Sequence, residues 1–148
     1  MTACEPPGPT SCCESRSACV FAKALLARAA VCQLAERRAV AEREVLECTS
    51  VVARSQCSTL AALLRERARF ALRLPGKGQP LIHAQALRLQ CGGLLGLQQA
   101  LGAAQADVHA MLGVARQRYG GFGELPWDAL VRELAHWQPQ RPRRGTRA

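Results

Sequence analysis

Only six of the chain's 148 residues are aromatic: Phe21, Phe70, Phe122, Trp127, Trp137 and Tyr119. β-Branched side chains are few as well, so strand propensity is low throughout. Alanine and leucine must therefore build the interior, and small side chains let helices approach closely. The expected fold class is all-α: an irregular bundle of four to five helices. A chain of this length can bury a core of its own as one domain.

Glycine and proline divide the chain. Residues 1–16 hold Pro6, Pro7, Gly8 and Pro9 and read as an irregular, cysteine- and proline-rich leader. A helical domain is expected over 17–137. Ser17 suits the cap of a long first helix over 18–47, a stretch without glycine or proline. Leu25, Cys32, Ala39 and Leu46 recur there every seven residues, and Glu36, Arg37, Glu42 and Arg43 supply a charged outer face. Val51 and Val52 weaken helix over 48–56, which reads as a connector. A second helix is expected from about 57 to 74, with Leu60, Leu63, Leu64, Ala71 and Leu74 facing inward. Pro75-Gly76-Lys77-Gly78-Gln79-Pro80 is the clearest loop. It lacks the GxxxxGK[ST] pattern, so it is not read as a phosphate loop. A third helix is expected over 81–104, with Gly92-Gly93 marking a break in it. Asp107 opens a fourth, ended by Gly120, and Pro126 starts a last helix over 127–137. The basic, proline-broken tail over 138–148 is expected to be disordered.

Chemistry points to sulfur. Cys4, Cys12, Cys13, Cys19, Cys32, Cys48, Cys57 and Cys91 are eight thiols, and none forms a CxxC pair. The first residues show no basic stretch followed by an apolar one, so no secretory signal is read and a cytoplasmic location is expected. The most apolar stretch, 20–35, carries Lys23 and Arg28 and is too short to cross a bilayer. In the cytosol stable disulfides are uncommon, so cysteine density leans towards metal or redox chemistry.

The expected metal ligands are Cys48, Cys57 and Cys91, with Cys19 or Cys32 completing the set. A thiolate is favoured where helix N–H groups are free, as expected for Cys19 and Cys57. Gly92 and Gly93 would let backbone approach a sulfur of Cys91. An intact first helix stands against this set, because a rod over 18–47 holds its ends about 40 Å apart. His83 is a weaker candidate for a fourth ligand. The competing reading is packing, since free cysteine behaves as a small buried hydrophobe. Cys4, Cys12 and Cys13 receive no role.

The formal charge of +9 comes mostly from arginine. It suits nucleic acid, anionic membrane or acidic protein. Arg141, Arg143, Arg144 and Arg147 make the only dense patch, and aromatic residues to stack on bases are scarce. No HExxH, Gly-x-Ser-x-Gly or dinucleotide motif is present. Cys57 with His83 is the one nucleophile pair to weigh, and a non-enzymatic role is the preferred reading. The expected function is that of a small cytoplasmic metal-binding protein with an iron–sulfur cluster, or else zinc. It would transfer electrons to a redox partner or assist a redox system. The alternative is a metal-free helical interaction module that binds protein or nucleic acid through a basic face.

Overall fold

The computed structural model describes residues 18–139. The leader over 1–16, with Cys4, Cys12 and Cys13, lies outside the described residues, as do Arg141, Arg143, Arg144 and Arg147 of the tail. The described elements run α1 (Ala22–Leu26), β1 (Ala35–Val40), β2 (Arg43–Cys48), α2 (Val51–Ala68), α3 (His83–Leu101), α4 (Val108–Tyr119), a 3-10 turn (Phe122–Glu124) and α5 (Trp127–His136). The protein is mostly helical, as the alanine–leucine composition demands, but it is not all-α.

The correction falls on the expected first helix. Residues 18–47 fold as the short α1, an irregular stretch and an antiparallel hairpin of β1 and β2. Ala35 pairs with Cys48 and Arg37 with Leu46, so Ala35, Arg37, Ala39, Glu44, Leu46 and Cys48 share one face. Helical propensity is overridden here by tertiary bonds. Leu46 is buried and its carbonyl accepts from the Cys19 N–H at 2.9 Å. The Thr49 N–H donates to the Leu34 carbonyl at 2.9 Å, closing the hairpin's base. Diagonal ion pairs, Arg37–Glu44 and Arg38–Glu47, each at 3.3 Å, tie the strands at the surface. The turn between the strands puts Ala41 at φ 55°, a left-handed conformation that costs an L-residue about 1–2 kcal/mol.

Helix α2 begins earlier than β-branching at Val51 and Val52 suggests. Ser50 is extended, and its hydroxyl accepts from the Ala53 N–H at 3.2 Å. This cap stabilises a helix start by about 1 kcal/mol, more than two exposed valines remove. α4 starts where expected: the Asp107 carboxylate accepts from the Ala110 N–H at 3.2 Å. Gly120, at φ 77°, ends it.

α3 is the central element and packs on all four other helices. It is not broken at Gly92-Gly93. Gly92 and Gly96, one turn apart, admit α5: a Cβ there would meet Leu134 Cα at 3.1 Å and Leu130 Cα at 3.2 Å. Gly93 faces α2, where a Cβ would fall 2.8 Å from the Leu64 methyls. The glycines thus set helix spacing instead of interrupting the helix. Leu60 and Leu64 of α2, Leu94 and Leu97 of α3, Met111 and Leu112 of α4, and Leu130 and Leu134 of α5 form one contiguous core. Each such side chain contributes roughly 1.5–3 kcal/mol on burial. Trp127 Nε1 donates to the Phe122 carbonyl at 3.0 Å, so the indole is buried without an orphaned donor.

Candidate functional site

Replacing the rod with a hairpin changes where the sulfurs go. Cys19 lies just before α1, and Cys32 lies between α1 and β1. Cys48 ends β2, and Cys57 lies in the second turn of α2. All four line one cavity. The Cys19 N–H bond to Leu46 brings the chain before α1 onto the hairpin. The Ala35–Cys48 pairing sets the two ends of the hairpin side by side. The Val31 N–H donates to the Ala106 carbonyl at 2.9 Å, and the Val108 N–H to the Val31 carbonyl at 2.8 Å. Those two bonds dock the start of α4 beside Cys32.

The cavity is about 20 Å³ and almost wholly apolar. That is room for about one water, and far too little for an organic substrate. Phe21, Leu34, Ala53, Val108 and Leu112 close it, with Arg54 and His109 at its edge. Arg54 Nε donates to the Ala18 carbonyl at 2.8 Å, which holds the guanidinium by the Cys19 segment.

Two of these thiols, Cys19 and Cys57, are held above their ordinary value. Burial pushes the Cys57 thiol up to about 12 from an ordinary 9.0, and the negative charge that Cys32, Cys19 and Cys48 would carry adds to the effect. Burial likewise raises Cys19, opposed by the Phe21 N–H bonded to its sulfur and by the Arg54 charge. The expectation of thiolate stabilisation at a helix N-terminus therefore fails for Cys57. α2 starts at Val51, so Cys57 meets no free N–H, and burial sets its protonation. Cys48 Sγ donates to the Ser50 carbonyl at 3.2 Å.

Cys91 does not line this cavity. It is 1% exposed within the core, on a helix whose flanking Gly92 and Gly93 abut α5 and Leu64. Burial alone raises its thiol. His83 does not line the cavity either; its Nδ1 accepts from Lys23 Nζ at 2.9 Å. The imidazole that lines the cavity is His109, which carried no sequence signal because its place depends on the long-range Val31 bonds that dock α4.

Four sulfur donors without a carboxylate form a soft set, suited to zinc, copper(I) or an iron–sulfur cluster. Among the described residues no group of three or more His, Cys, Asp or Glu side chains is placed to hold a metal ion. The thiols surround a space and do not close on a point. Among the described residues no helix is long and apolar enough to cross a membrane. No family model matches the chain, and no curated protein or solved structure matches it.

Proposed function

We propose that Cys19, Cys32, Cys48 and Cys57 hold an inorganic centre of iron–sulfur type, and that the protein serves electron transfer or an accessory step of a redox system. The observation that carries this reading is the gathering of four cysteines, each from a different segment, around one small apolar cavity. Their present state supports it in a second way. After burial, negative charge on Cys32, Cys19 or Cys48 would raise the proton affinity of Cys57, because like charges repel. A cation among them turns that repulsion into attraction and favours the thiolates. A four-iron cluster would offer each cysteine its own iron, and binding it would require the four segments to move apart, since the space between them has room for about one water. Such a centre supplies one-electron chemistry. The chain's part is to hold the sulfurs, to exclude water with Phe21, Leu34 and Leu112, and to offset negative charge with Arg54. A cytoplasmic site of action and a protein redox partner belong to the same proposal.

Purification without oxygen, followed by a visible spectrum and assays for iron, sulfide and zinc, tests it. Brown protein with matching iron and sulfide is the expected result, lost when Cys32 or Cys57 is changed to serine. Colourless protein with stoichiometric zinc replaces the cluster with a zinc site on the same thiols. Colourless, metal-free, folded protein sinks the centre. It leaves the second reading, a metal-free interaction module, favoured by the absence among the described residues of any three side chains placed on one ion.

A further inference from the structure

A second cavity lies between α2, α3 and the loop that joins them. It measures about 680 Å³, within the range of small-molecule sites. Its floor is apolar: Phe21, Leu64 and Leu89 are all buried. Ala61 and Ala86 extend the apolar walls, and their short side chains leave the space open.

The charged residues of the lining are unbalanced. Arg65, Arg69 and Lys77 face a single carboxylate, Glu66. Among the described residues the ion pairs are Arg37–Glu44 and Arg38–Glu47, both in the hairpin, so none neutralises these three cations. Arg65 is held in place by neutral partners: its guanidinium donates to the Gly76 carbonyl at 3.0 Å and to the Gln79 carbonyl. Those bonds fix the loop as a wall and leave the positive charge uncompensated. A cavity with an apolar floor and cationic mouth suits a ligand with an apolar body and a head of opposite charge.

We propose that this cavity binds a small amphiphilic anion, with an acyl chain or comparable apolar body against Phe21, Leu64 and Leu89 and an anionic head at Arg65, Arg69 and Lys77. This site uses none of the thiols and shares Phe21 with the cavity that they line.

Calorimetric titration of the full-length protein with decanoate, decanol and decyltrimethylammonium tests the assignment. Decanoate is expected to bind saturably at one site and to move the amide NMR signals of Ala86 and Leu89. The exposed double variant Arg69→Gln/Lys77→Gln is expected to bind decanoate roughly tenfold more weakly and to leave decanol unchanged. Ala86→Trp, which fills the cavity, should abolish binding; if its circular dichroism shows misfolding, the charge variant and the three-ligand comparison decide alone. No saturable decanoate binding overturns the site. Equal binding of decanol or the cation overturns the anionic class, and NMR shifts confined to other elements overturn the location.

Discussion

Partly buried Cys57 and fully buried Cys91 face opposite demands. Cys57 sits among three other thiols and is pushed up to about 12, with charge on Cys32, Cys19 and Cys48 contributing. Cys91 sits in the hydrophobic core, and burial alone moves it. One sulfur therefore has neighbours that bear on its charge, and the other has only packing. Cys91→Ala should keep the metal content of the wild type and lower stability by about 1 kcal/mol, the cost of a small void. Cys57→Ala should remove the metal. Metal analysis beside a denaturant melt separates the two effects. Loss of metal from the Cys91 variant with its fold intact would put Cys91 back among the ligands.

At the scale of elements, sequence legibility varied with the kind of signal. Three local signals read correctly: Asp107 caps α4, Gly120 ends it and Pro126 precedes α5; the start of α2 did not, since Ser50 caps it well before the expected start near Cys57. Gly92-Gly93 misled, because a glycine that admits a neighbouring backbone looks in sequence like one that breaks a helix. The hairpin was illegible for a deeper reason. Residues 35–48 are rich in alanine, glutamate and arginine, all good helix formers, and the turn has no glycine or asparagine. Its evidence is long-range: the Cys19–Leu46 and Leu34–Thr49 backbone bonds. A hairpin held against local preference should gain from a better turn. Ala41, at φ 55°, is replaced by glycine without loss of a packed side chain, since it is exposed. Ala41→Gly should raise stability by about 0.5–1 kcal/mol, because relief of left-handed strain exceeds glycine's added entropy cost. A thermal melt several degrees above wild type is the expected reading; a fall would mean that residues 35–48 prefer helix.

For the whole molecule, the candidate site is a product of topology. Cysteine number drew attention to sulfur, and Cys19, Cys32, Cys48 and Cys57 were all named from sequence, together with Cys91, which does not line the cavity. The expected set required Cys48 and Cys57 to meet Cys19 or Cys32, against the expected helix over 18–47, and the hairpin removes that obstacle. Convergence has a consequence for how stability responds to pH. In the metal-free protein Cys19 and Cys57 titrate above their ordinary 9.0, by burial first and then by the other thiols. A raised folded-state value means that the folded protein binds the proton more tightly than the unfolded chain. That stability is fully present below about pH 9 and is lost as pH rises towards 12. A bound metal reverses the direction. It requires thiolates, so protons compete with it, and the stability it adds is lost as pH falls. Melting temperatures from about pH 5 to about pH 10, with and without a chelator, carry both signs. The chelated protein should decline only on the alkaline side of this range as far as the thiols are concerned. The untreated protein should sit well above it near neutrality and converge on it in acid. Two superimposed curves would mean that no metal is held, and that the four thiols only line the cavity.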